Sequence, residues 1–164
     1  MRAWTRLRAT RTRGEIADWV ELVGARLQTT GDGVTLVSGP AARMLVRLCG
    51  ASAVTLGNMV LFSSTGWLEI LRRSDAGLLL LAHELVHIGQ YRSHGVVGFL
   101  RVYVREYLEG RLRGLSHRQS YRAISFEREA RLGESLAAGL LSANALLRGE
   151  PVRIDAGRSA TGRG

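Results

Sequence analysis

The sequence predicts an α+β fold, mainly helical, with one small antiparallel β-hairpin. Three observations carry that expectation. Apolar residues recur at helical spacing over Glu15–Leu27 and again through most of the chain after Ala76. Two short β-prone runs, Ala53–Leu56 and Met59–Phe62, flank Gly57-Asn58, a two-residue turn suited to a hairpin. With 164 residues and 46% of them hydrophobic, the chain is long enough to bury one core.

Residues 1–13 form a basic arm carrying Arg2, Arg6, Arg8, Arg11 and Arg13. Glu15–Leu27 places Ile16, Trp19, Val20, Leu22 and Val23 at the spacing of an amphipathic helix, and 29–33 is a turn. Pro40 suits a first helical position and Gly50 a stop, so Pro40–Cys49 is a short helix. The hairpin follows. Trp67–Leu71 is an apolar run too short for periodicity to assign. Ser74 or Asp75 caps a helix running from about Ala76 to Arg92. Val96–Arg113 mixes apolar and charged residues at helical spacing. Phe126–Leu147 is a last helix, supported by Ala130, Ala137, Ala138, Leu140, Leu141 and Leu146. The Gly- and Arg-rich stretch 150–164 is a tail, which leaves 14–149 as a single domain.

Formal charge is +9, and all 23 basic residues are arginine. Guanidinium groups bind phosphate and carboxylate bidentately, so the Arg-rich ends suggest an anionic partner, nucleic acid among them. A solvated basic surface explains the same composition. Cys49 is the single cysteine, which excludes an internal disulfide and a cysteine-ligated zinc site. The N-terminus lacks the apolar core of a signal peptide. No run reaches the roughly 18 apolar residues of a membrane span, so the expected compartment is the cytoplasm.

The chemistry concentrates in His83-Glu84-Leu85-Val86-His87. On a helix, H-E-x-x-H sets two imidazoles one turn apart, a rotation of about 400°, so both rings leave one face. That is the arrangement of a zinc-dependent hydrolase, with the intervening Glu placed to act as general base on a water. The context fits. Leu78, Leu81, Leu85 and Ile88 fill one side of the wheel, and His83, Glu84, His87, Gln90, Tyr91 and His94 share the other.

Catalytic zinc usually takes three protein ligands and keeps a fourth position open. The long form H-E-x-x-H-x-x-G-x-x-H needs glycine at position 90 and histidine at position 93. This chain has Gln90 and Ser93 there, so that form fails. The other form takes a Glu from a later helix. Ser125-Phe126-Glu127-Arg128-Glu129-Ala130 supplies one, 40 residues after His87, with the small Ala130 one turn on to let the two helices approach. Glu129 points elsewhere, as the solvated partner of a nearby Arg.

The stretch from Ala53 through Gly57-Asn58, Leu80-Leu81-Ala82-His83-Glu84-Leu85-Val86-His87, Gln90-Tyr91 and Tyr121-Arg122 to Phe126-Glu127-Arg128-Glu129-Ala130 resembles an uncharacterised-domain family. Its members are compact, gluzincin-like H-E-x-x-H metallopeptidases, some of which accompany bacterial contractile injection systems. The resemblance covers residues 51–132. It implies a minimal zincin-like domain with His83, His87 and Glu127 as zinc ligands and Glu84 as base. Gln90 becomes a second-layer or substrate-side group. Two departures stand out: Arg131 occupies a position that is often Asp in related gluzincins, and Ile124-Ser125 replaces an Asn-Pro. The first removes one acceptor for a ligand histidine.

The expected function is a zinc-dependent peptidase acting on a peptide or protein substrate. Tyr91, His94 and Tyr121 are the candidate donors to the developing oxyanion. Two other classes compete with it. One is a nucleic-acid-associated protein that carries the metal site. The other is a binding or scaffold module that keeps the metal without turnover.

Overall fold

The computed structural model describes residues 33–147 except Arg73. The basic arm, the 15–27 helix, most of the 29–33 turn and the 150–164 tail lie outside these residues. The elements are β1 (Thr35–Val37), α1 (Pro40–Leu48), β2 (Ala53–Leu56), β3 (Met59–Phe62), α2 (Ser64–Arg72), α3 (Asp75–Leu112), α4 (His117–Ala123) and α5 (Ser125–Leu147). The protein is therefore mainly helical with a small sheet, the α+β class that the sequence predicts.

The sheet has the order β1-β3-β2. β2 and β3 form the expected hairpin: Leu56 pairs with Met59 across Gly57-Asn58, and Gly57 has φ 59°, which glycine adopts without strain. The hairpin is not alone. β1 pairs in parallel with β3, Thr35 opposite Met59 and Val37 opposite Leu61. A strand of three residues is too short to show a period, so β1 is invisible to pattern reading.

The helices follow their local signals. Pro40 opens α1, and Gly50, with φ 65°, follows its end. The unassigned run 67–71 lies inside α2. Ser74 caps α3, its hydroxyl accepting from the Gly77 N–H at 3.0 Å. α4 is an addition to the expected set, opened by a capping box in which Ser116 and Gln119 exchange side-chain and backbone bonds. At the start of α5, the Glu106 carboxylate accepts from the Ser125 backbone N–H at 2.6 Å and from its hydroxyl at 3.0 Å. An acid there satisfies a free N–H and meets the positive end of the helix dipole.

The expected helices 76–92 and 96–113 run on as α3, broken at Gly95 (φ 65°, ψ 169°). The break reverses the chain's course. On a straight helix, Phe99 would lie about 18 Å along the axis from His87. Its ring centroid is instead 5.9 Å from that of His87. Phe99 also stacks on Tyr91 and Phe126, and with Ile124 these residues form an aromatic core behind the histidines. A second core lies between the sheet and the first part of α3: Val60, Phe62, Ile70, Leu81, Leu85 and Ile88. α1 covers the far side of the sheet with Ala42 and Val46 against Leu61. No helix among the described residues is long and apolar enough to cross a membrane.

Candidate metal centre

The first part of α3 and the first turn of α5 meet at one point. His83 and His87 project from α3, and Glu127 faces them from α5. The three side chains form a triangle: His83 Nε2 to His87 Nε2 is 3.1 Å, and the Glu127 carboxylate faces the rings with different oxygens, Oε1 3.4 Å from His87 Nε2 and Oε2 3.5 Å from His83 Nε2. A tetrahedral divalent ion bonded at about 2.0–2.1 Å keeps its ligands about 3.3 Å apart, so the three groups are spaced to hold one. Glu127 is 2% exposed, and its Oε2 has no hydrogen bond. Leaving a buried acceptor unpaired costs about 1–3 kcal/mol, and more for a charge. A cation between Oε2 and the two imidazoles would offset that cost.

Each group is held by a partner. The His87 Nδ1–H donates to Gln90 Oε1 at 2.8 Å, so the neutral ring presents an unprotonated Nε2 to His83 and Glu127. Gln90 in turn donates to the Phe126 carbonyl at 3.1 Å and to Glu129 Oε2 at 2.8 Å, tying α5 to α3. His83 Nδ1 lies 3.0 Å from Glu134 Oε1, at ion-pair distance but out of hydrogen-bond alignment. Glu134 thus supplies the acidic neighbour that Arg131 cannot. Arg131 donates to the Arg122 carbonyl, and its other terminal nitrogen lies 3.9 Å from Glu127 Oε2. The Tyr103 hydroxyl donates to Glu127 Oε1 at 3.0 Å.

Glu84 is 4% exposed and accepts from Thr55 Oγ1 of β2 at 2.7 Å. That bond engages Oε2 and leaves the other oxygen for a proton. Burial pushes the Glu84 carboxyl up from its ordinary value, with the His87 charge and the Thr55 bond opposing it. Burial also raises Glu127, but the His83 and His87 imidazoles beside it outweigh that and hold the carboxyl well below the usual range. Burial lowers His83, yet the Glu127, Glu134 and Glu84 carboxylates beside it prevail, and its pKa is raised to about 9. Two nearby carboxyls are thus pushed apart, one toward holding a proton and one toward holding charge.

The structure brings His83, Glu84, His87, Gln90 and Glu127 together. Tyr121 is near them: burial and the Glu127 charge raise its pKa, and its ring lies edge-on to Tyr103 with centroids 6.4 Å apart. Tyr91 is elsewhere, stacked 3.9 Å from Phe99 in the aromatic core. His94 stands at the helix break, Nδ1 3.1 Å from the Gln90 carbonyl and its ring edge-on to Phe126. Glu129 is exposed, and its carboxylate also accepts from Gln90, because the first turn of α5 lies close enough to α3 for an amide to span both.

Three residues join the site that pattern reading did not find. Thr55 had a signal, being the inward-facing polar residue of an otherwise apolar strand. Glu134 had a weaker one, seven residues and two turns after Glu127. Tyr103 had none in its local sequence, since it reaches the site only through the break at Gly95.

Residues 17–95 match the family model of the eCIS core domain, which links the chain to extracellular contractile injection systems. The matched stretch contains His83, Glu84 and His87 and ends at Gly95, before Glu127. No curated protein and no solved structure matches the chain. Over slightly less than half its length, then, this chain is similar to the eCIS core domain.

Proposed function

We propose that the protein is a zinc-dependent peptidase. One observation carries the reading: two imidazole nitrogens and a buried carboxylate converge at 3.1–3.5 Å beside a second, differently tuned carboxylate. His83, His87 and Glu127 would hold the ion, a nitrogen and oxygen set that suits zinc. When bound, zinc supplies Lewis acidity, polarising the scissile carbonyl and lowering the pKa of a water.

The remaining work belongs to the chain. Glu84, steadied by Thr55, takes the proton of the attacking water and returns it to the leaving amine; its raised pKa suits both transfers. Of the three candidate oxyanion donors, Tyr121 is favoured by its place beside Glu127, and burial keeps its hydroxyl protonated. β2 lies at one edge of the sheet, beside the base it steadies, and an edge strand can pair with an extended peptide. The eCIS core match supports a setting within a protein assembly.

Elemental analysis of the purified protein, beside proteome-wide cleavage profiling of wild type and Glu84→Gln, tests the proposal. The expected result is zinc in both and cleavage only by wild type. Zinc in both with no difference in cleavage would leave a metal-binding module and overturn the peptidase.

A further inference from the structure

The two oxygens of Glu127 are treated differently by their surroundings. Oε1 accepts the Tyr103 hydroxyl at 3.0 Å. Oε2 has no hydrogen bond and lies 3.5 Å from His83 Nε2. On an unbroken helix Tyr103 would stand about 24 Å along the axis from His87. The break at Gly95 brings it to Oε1, which itself lies 3.4 Å from His87 Nε2. A phenol hydroxyl carries its proton at neutral pH and can donate to that oxygen.

Resting on the metal-binding reading above, we propose that Tyr103 is a positioning residue that restricts Glu127 to one ligating oxygen. Carboxylates bind metal through one oxygen or both, and the second mode would fill a place the substrate needs. A neutral hydroxyl on Oε1 holds that oxygen as an acceptor and presents Oε2 to the ion. The device differs from the partners of the histidines, because it sets the number of ligand atoms rather than the tilt of a ring.

Cobalt(II) replaces zinc as a coloured probe in wild type, Tyr103→Phe and, as a control on the same helix, Tyr107→Phe, whose hydroxyl bonds His117 instead. Wild type and Tyr107→Phe are expected to show the intense visible bands of a four-coordinate ion. Tyr103→Phe should show the weaker bands of a higher-coordinate one, with affinity lower by about 10–100-fold. An unchanged spectrum in Tyr103→Phe, whatever its affinity, overturns the proposal. So does a wild-type infrared carboxylate splitting that reports both Glu127 oxygens on the metal, a measurement that needs no variant to fold. Wild type that takes up no cobalt would instead overturn the metal site itself.

Discussion

Replacing Gly95 by alanine perturbs the site from its hinge. Gly95 has φ 65° and ψ 169°, a region occupied almost solely by glycine. An added Cβ would meet no atom within 4 Å, so the cost is one of backbone conformation and not of packing. Such strain is worth about 1–3 kcal/mol. The lower entropy of an alanine-containing unfolded chain offsets part of that strain, but at a φ that suits only glycine the strain prevails. For a chain of this length each kcal/mol moves Tm by about 2–4 °C, so Gly95→Ala should lower it by about 2–12 °C. The assay is thermal unfolding of the metal-free protein by circular dichroism, which removes stabilisation by bound metal. Gly139→Ala is the counterpart: helical, exposed and with nothing near its Cβ, it should hold or raise Tm, by up to about 1 kcal/mol of stability. If Gly95→Ala is as stable as wild type, the chain does not need the break, and the contacts of Phe99 with His87 and of Tyr103 with Glu127 do not depend on it.

The other expectations concern the centre itself. His83→Ala and His87→Ala should each abolish tight metal binding, as read by equilibrium titration, because each removes one of three ligands. Glu84→Gln should keep metal and Tm but lose about 10²–10⁴-fold in peptide hydrolysis, since an amide accepts no proton. In metal-free protein the His83 pKa is raised from 6.5 to about 9, so its protonated form stabilises the fold fully below pH 6.5 and that contribution fades as pH rises through 9. Metal needs the neutral ring. Uptake between pH 7 and 8 should therefore release about one proton per ion from His83, and affinity should climb with pH until about 9. Calorimetry in buffers of different ionisation enthalpy measures that proton; none released would refute the assignment.

What the sequence made legible was local. Gly57-Asn58 marks the hairpin because a turn type demands those residues, and H-E-x-x-H marks a metal face because a helical turn is a fixed rotation. Glu127 could be reached because Ala130, fully buried, permits close helix approach. The remainder depends on encounters between distant segments. Thr55 meets Glu84 across 29 positions and Tyr103 meets Glu127 across 24, and neither pair carries a periodic signal. β1 is too short to show a period and acquires its structure from pairing with β3. Helical spacing lapses between Arg92 and Val96; that the break at Gly95 folds the two helices against each other is a property of packing between Tyr91, Phe99 and Phe126.

The ligand set is tested most directly by zinc titration of metal-free wild type, Glu127→Gln and Glu129→Gln at one pH. The three-ligand centre predicts one zinc per chain in wild type and a sharp loss of affinity in Glu127→Gln. Glu129→Gln should bind nearly as tightly as wild type, because Glu129 touches the centre only through Gln90. Equal binding by wild type and Glu127→Gln, or a loss confined to Glu129→Gln, would contradict it.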